Sequence, residues 1–191
     1  MHDMLHKKSK GTLGKDKRDA EGLLPADQTT QYRAVIARAN FISPDRPDIT
    51  YAVKELARSM AAPTLKDWEA LKRLARYLSG KPRLKIWFAH QAAPESLTVF
   101  TDSDWAGCPY SRRSTSGGAL LYGAHLLKNW SKTQAIVALS SAEAELCSTV
   151  NGSAEGLGVQ VAMKDFGRDV GIHLLGDASA ALGVIQRHGP R

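Results

Sequence analysis

Leu97-Thr98-Val99-Phe100-Thr101-Asp102-Ser103-Asp104-Trp105-Ala106-Gly107 decides how the rest of this sequence is read, because an apolar run there ends in two carboxylates and a turn. Val99 and Phe100 favour the pleated conformation, and Pro94 and Gly107 bound the run, so residues 97–102 are predicted as a strand with Asp102 at its C-terminal end. Downstream, a polar loop over residues 108–116 leads to a second predicted strand, 117–122. Gly123-Ala124 supplies a tight turn into a third, 125–131. Short connections between consecutive strands make an antiparallel meander, which sets Asp102 at one end of a sheet.

The composition is that of an ordinary globular chain. Of 191 residues, 43% are hydrophobic and 24% charged, enough to build a core. Lys and Arg outnumber Asp and Glu by 26 to 19, a formal +7 that favours an anionic partner such as nucleic acid. Cys108 and Cys147 stand far apart without zinc-type or CxxC spacing, which argues against a disulfide framework or a zinc site. No run approaches the ~20 apolar residues of a membrane span, and the N-terminus lacks a signal-peptide core. A soluble intracellular chain is expected, cytoplasmic or nuclear.

Residues 1–30 carry Lys7, Lys8, Lys10, Lys15, Lys17 and Arg18 with few apolar side chains, the composition of a basic disordered tail or linker. A helical layer is predicted over residues 31–92. Tyr32, Val35, Ile36, Ala39 and Phe41 recur at helical spacing, and Ile49, Ala52, Val53, Leu56 and Met60 share a second helical face. Thr64 and Asp67 have capping-box spacing ahead of a helix that carries Leu65, Trp68, Leu71, Leu74, Ala75 and Leu78 inside and Lys66, Lys72, Arg73 and Arg76 outside. Residues 84–88 read as a short strand. Trp68, Trp87 and Tyr77 could stack on bases, but aromatics at such spacing are expected in the core.

After the meander, a helix beginning near Ser140 is expected to bury Ala142, Leu146, Val150, Leu157 and Val161 on one stripe. Gly152, Gly156 and Gly158 each weaken it by about 1 kcal/mol relative to alanine. Residues 172–175 form a short strand ending at Gly176-Asp177, and a further helix is predicted over 178–186.

Three acids then stand at element ends: Asp102, Glu145 and Asp177. Each has a structural alternative. Asp177 is placed to cap the helix after it, and Glu143, three residues after Ser140, has the spacing to close the preceding helix start. Glu145 lies about 200° around the helix from Glu143 and carries no such duty. Asp102 and Asp104 share a side of an extended segment, so both could approach one ion, although Asp104 equally suits a turn. An EF-hand is excluded, because Ala106 and Arg113 occupy positions that need ligands. Clustered carboxylates on a basic chain suit Mg²⁺-assisted phosphodiester chemistry, in which the positive surface gathers a polyanion and the acids hold the metal.

Four motifs in order, Thr101-Asp102-Ser103-Asp104-Trp105-Ala106-Gly107, Arg112-Arg113-Ser114-Thr115-Ser116-Gly117, Asn129-Trp130-Ser131-Lys132-Thr133-Gln134 and Ser140-Ser141-Ala142-Glu143-Ala144-Glu145, closely resemble the ribonuclease H domain of Ty1/copia-type retrotransposon Pol polyproteins. Upstream, Arg46-Pro47-Asp48-Ile49-Thr50-Tyr51-Ala52-Val53 and residues 71–80 resemble the segment that joins the family's reverse transcriptase to its ribonuclease H. The resemblance implies an α/β, ribonuclease H-like mixed sheet with flanking helices over residues 93–191, preceded by a reverse transcriptase connection-like segment. It further implies cleavage of the RNA strand of an RNA/DNA hybrid with two Mg²⁺ ions, or Mn²⁺ in their place. By position, Asp102, Glu145 and Asp177 would be catalytic and metal-binding, with Asp104 beside them, and Arg112, Arg113 and Lys132 would contact the nucleic-acid backbone. The expected partners are a hybrid or other nucleic acid and the upstream reverse transcriptase domain, with no membrane. By the same resemblance, the family's fourth metal carboxylate would follow a basic, histidine-containing stretch such as Arg187-His188-Gly189-Pro190-Arg191 and is expected to lie just past it. The competing function is a non-catalytic nucleic-acid-binding remnant of the polyprotein.

Overall fold

Periodicity places most of the first helices correctly. The computed structural model describes residues 22–177. Helix α1 (Ala26–Ile42) buries Tyr32, Ile36 and Ala39, and α2 (Thr50–Ala57) buries Val53 and Leu56. Helix α3 (Leu65–Gly80) buries Leu71 and Leu74, and its start is closed by the reciprocal Thr64–Asp67 capping box. These faces meet in one apolar cluster with Leu24 and Ile49. Val35, Phe41, Leu65 and Ala75 turn away from it into solvent. Residues 26–30, expected in the tail, form the first turns of α1, because the buried Leu24 and a Leu23–Thr64 bridge tie this stretch to the start of α3.

The sheet begins with β1 (Ser96–Asp104), β2 (Thr115–Tyr122) and β3 (His125–Thr133), the expected meander. Gly123 takes φ +60° in the two-residue turn that pairs Tyr122 with His125. The long helix α4 (Ser141–Asp165) follows, and β4 (Gly171–Leu175) pairs parallel to β1, giving a mixed four-stranded sheet in the order β3-β2-β1-β4. Leu97, Val99, Leu120, Trp130 and Val170 form a second apolar cluster between the sheet and α4. Gly118 faces Trp130 directly across the ladder, where an added Cβ would lie 2.1 Å from the indole.

Two expectations fail here. Residues 84–88 join no strand: they have no ladder partner, and β-propensity without a paired edge does not make a sheet. The stripe expected to be buried on α4 is largely outside, with Val150 61%, Leu157 54% and Val161 61% exposed. The buried face is instead Ala144, Ser148, Gly152 and Gly156. A Cβ on Gly152 would lie 2.2 Å from Thr101 Cγ2, and one on Gly156 3.1 Å from Val99 Cγ2, so the small residues let α4 close onto β1. The helix predicted over 178–186 lies outside the described residues. Among the described residues, no helix is long and apolar enough to cross a membrane.

The helical layer meets the sheet through Asn129 Nδ2, which donates to Thr50 Oγ1 at 3.1 Å, and Lys54 Nζ, which donates to Thr115 Oγ1 at 2.7 Å. Within the layer, Arg46 donates to both oxygens of Asp48 (2.9 and 2.8 Å), and Tyr77 Oη donates to Asp48 Oδ2 at 2.7 Å. The Arg46 hydrogen bonds, reinforced by Tyr77, outweigh burial and hold the Asp48 carboxyl down at about 2.

Two measurements check this packing. Gly152→Ala should destabilise the chain by about 1–3 kcal/mol in urea unfolding, because β1 must move. Gly158→Ala, whose Cβ meets nothing within 4 Å, should stabilise it by up to about 1 kcal/mol. Because the Asp48 pKa is lower in the folded state than the ordinary unfolded value of about 3.9, its contribution is complete above that value and lost as pH falls toward 2. Asp48→Asn should therefore lower the unfolding midpoint at neutral pH, with the gap to wild type closing between about pH 4 and 2.

Candidate metal centre

Alternation along β1 decides which side chains reach α4. Leu97, Val99 and Thr101 are buried, whereas Asp102 and Asp104 are exposed, and Ser103 falls between them on the helix side. Helix α4 starts at Ser140, whose Oγ accepts from Glu143 N at 3.2 Å; the Glu143 carboxylate accepts from Leu139 N at 2.7 Å. Glu143 is thus engaged at the helix start, although its carboxylate accepts from Leu139 N rather than from Ser140 N as the capping-box spacing predicted, and the next acid, Glu145, turns toward the end of β1.

There Ser103 joins two acids. Its hydroxyl donates to Glu145 Oε1 at 2.7 Å, and its backbone N–H lies 3.2 Å from the same oxygen and 2.8 Å from Asp102 Oδ1. One buried turn further along α4, Ser148 Oγ donates to the Asp102 carbonyl at 2.6 Å. Asp177, two residues beyond β4, completes the group. Asp102, Glu145 and Asp177 each offer a carboxylate oxygen, and these atoms all lie within 4.8 Å of one another. Among the described residues no Lys or Arg forms an ion pair with them. Three anionic groups this close repel unless a cation lies between them, and an all-oxygen set on the rim of a sheet suits a hard divalent ion. The triad can hold a metal ion. A concave surface runs from it across Phe100, Gly117, Gly118, Ala119 and Leu175.

The other predicted residues fall elsewhere. Asp104 is not a member of the group; its carboxylate lies against Gly107, where an added Cβ would be 1.7 Å from Oδ2. Arg112, at φ +56°, and Arg113 stand exposed on the loop between β1 and β2. That loop is pinned by Arg112 N to Cys108 O at 2.8 Å and Cys108 N to Arg113 O at 3.2 Å. Lys132 pairs with Glu155 of α4 at 2.8 Å, and Lys128 binds the other oxygen at 2.5 Å. These two lysines hold the Glu155 carboxyl below the usual range against the opposing effect of burial.

Sequence reasoning missed the residues that assemble the site. Ser103 sits between two acids that draw the eye, and its signal was the alternation that points it at the helix. The packing face of α4 was written in small residues four apart, at 144, 148, 152 and 156, and the apolar stripe hid it. Gln134 is buried and bridges Ser116 Oγ (2.9 Å) to the Ala144 carbonyl (2.8 Å), joining β2 to the start of α4. Ser114 Oγ accepts from Ala106 N at 3.0 Å, and Trp105 Nε1 donates to the Ala138 carbonyl at 3.2 Å.

Comparison with known proteins gives this geometry a context. The retrovirus-related Pol polyproteins from transposons RE2 and RE1 of Arabidopsis thaliana are each 40% identical to the chain over 126 residues, 66% of its length. The matched segment is 9% and 8% of those proteins, so the chain spans under a tenth of these relatives. A shorter relative, named secreted RxLR effector protein 161, from Plasmopara viticola, is 36% identical over 116 residues, 61% of this chain and 81% of that protein. No family model matches the chain, and no solved structure matches it significantly. With identity at this level across two thirds of its length, the chain belongs to the retrovirus-related Pol polyproteins of Ty1/copia-type transposons, as a segment of one.

Proposed function

We propose that residues 93–191 are the ribonuclease H-like part of the Pol polyprotein and cut the RNA strand of RNA/DNA hybrids, and that residues 31–92 are the connection to its reverse transcriptase. The observation that carries this reading is the convergence of Asp102, Glu145 and Asp177, from a strand end, a helix start and a second strand end, on one point. The family membership and the two separate apolar clusters, one in the helices and one under the sheet, support it.

The three acids are the residues that would hold Mg²⁺. Bound there, divalent ions supply an activated water and neutralise the oxygen that departs from phosphorus. The chain's own residues do the positioning. Ser103 engages one oxygen each of Asp102 and Glu145 and so fixes both carboxylates at the end of β1. The Ser148 bond to the Asp102 carbonyl keeps the end of β1 against α4, so the acids are spaced before any cation arrives. Arg112 and Arg113, exposed on the neighbouring loop, would meet phosphates and orient the hybrid.

The test is cleavage of an RNA/DNA hybrid, labelled on its RNA strand, by the purified chain in Mg²⁺. RNA cleavage is expected with wild type and should fall to background with Asp102→Asn. If wild type cuts no better than the variant while both still bind the hybrid, the non-catalytic nucleic-acid-binding reading replaces this one. The positioning role is read separately, by titrating Mn²⁺ calorimetrically. Ser103→Ala should weaken binding by about ten-fold and Ser103→Thr should retain it. Tighter binding by Ser103→Ala would instead mean that the serine holds Glu145 away from the metal.

A further inference from the structure

The stretch that failed to become a strand presents an exposed aromatic and cationic surface. Between α3 and β1, residues 82–90 cross the surface as a strap without helix or strand structure. Among the described residues, none of their backbone N–H or C=O groups is bonded to another backbone group. The strap is nevertheless held at both ends. Arg46 Nη2 donates to the Lys81 carbonyl at 3.1 Å. At the other end Gln91 clasps the β2–β3 turn: its Nε2 donates to the Tyr122 carbonyl at 2.9 Å, and its Oε1 accepts from Ala124 N at 2.9 Å. His125 Nε2 lies 2.8 Å from the Ala89 carbonyl, and its ring meets Phe88 edge-on with centroids 5.1 Å apart. A carbonyl only accepts, so His125 donates from Nε2.

Phe88 packs on His125 and Leu84 is half-buried, whereas Arg83, Lys85 and Trp87 are exposed. Ile86 is 43% and Phe88 57% exposed, against 88% for Trp87, which overturns the expectation that this indole lies in the core. Residues 81–94 contain no Asp or Glu. Among the described residues no ion pair engages Arg83 or Lys85. Two unneutralised cations and a bare indole thus stand within five consecutive residues.

We infer that this strap is a binding site for single-stranded nucleic acid, in which Trp87 stacks on a base and Arg83 and Lys85 meet the adjoining phosphates. An aromatic platform beside fixed cations is the chemistry by which single strands are held without regard to sequence. Strand addition by another protein is disfavoured, because Pro82 lacks a donor and charges at 81, 83 and 85 are the devices that discourage edge pairing. The site is distinct from the acid cluster. The strap is clasped where Leu97 pairs with Tyr122, five residues or about 17 Å along β1 from the Asp102–Gly117 pair.

The experiment measures binding of the full chain to a fluorescently labelled single-stranded oligonucleotide of about 20 nucleotides, by anisotropy in EDTA, so that cleavage plays no part and failure of the hydrolytic reading leaves the result intact. Trp87→Ala leaves the net charge unchanged and should weaken binding by roughly ten-fold, while Trp87→Phe keeps most of it. Replacing Arg83 and Lys85 by Ala should weaken binding and reduce the slope of log K against log salt by about 1.4, two phosphates at about 0.7 each. Thermal unfolding of each variant at the wild-type temperature establishes that the fold is intact. Undiminished affinity in Trp87→Ala would overturn the inference, since attraction by net charge alone would then suffice. So would a change in sedimentation with Trp87→Ala in the absence of oligonucleotide, which would make the indole a protein contact.

Discussion

The close seat of α4 on β1 is the contact from which the acid site follows. Gly152 and Gly156 remove the side chains that would otherwise hold the helix off Thr101 and Val99. Ala144 and Ser148 extend the same small-residue face toward the helix start. With the backbones this near, Ser148 can reach the Asp102 carbonyl, and one turn earlier Glu145 comes within reach of Ser103. A larger residue on this face would part the helix from the strand and the two acids with them. The glycines that weaken the helix in isolation are the price of the distance the site requires.

Many of the polar residues around the acids hold the scaffold rather than face the site. Ser114 supports the backbone at Ala106, which takes φ +52°, and Trp105 ties the same turn to the segment ahead of α4. Gln134 leaves the end of β3 and joins Ser116 to the first turn of α4 from a fully packed position. Both bonds are donated by the Gln134 Nε2 group, which fixes the helix start relative to the sheet, while its Oε1 is buried without a hydrogen-bond partner. Arg112 and Arg113 differ in kind: the loop's backbone bonds hold them, and their side chains stand in solvent.

The sheet presents β3 to the helical layer and the β2–β3 turn to the strap, so one hairpin organises both sides of the molecule. Asn129 and Thr115 receive α2, while Tyr122, Ala124 and His125 receive the strap. The Arg46–Asp48–Tyr77 set links the approach to α2 with the end of α3, and Arg46 also holds the carbonyl where the strap begins. The chain thus carries acids at one end of β1 and an aromatic, cationic strap at the other. A polymer long enough to span the strand could touch both.

What the sequence determined by itself was the local and the periodic. The Thr64–Asp67 cap, the turn at Gly123-Ala124, the meander and the duty of Glu143 were legible because each depends on residues a few positions apart. Their positions at predicted element ends also made the three acids legible as a set. Only the tertiary structure decided which face of α4 lies inside, because hydrophobicity there points to Val150, Leu157 and Val161 while close packing selects Gly152 and Gly156. It likewise decided that residues 84–88 stay unpaired and Trp87 stays bare, since a strand exists only where another strand offers its edge. And it placed Ser103 between Asp102 and Glu145, a contact across forty-two positions that no local rule encodes.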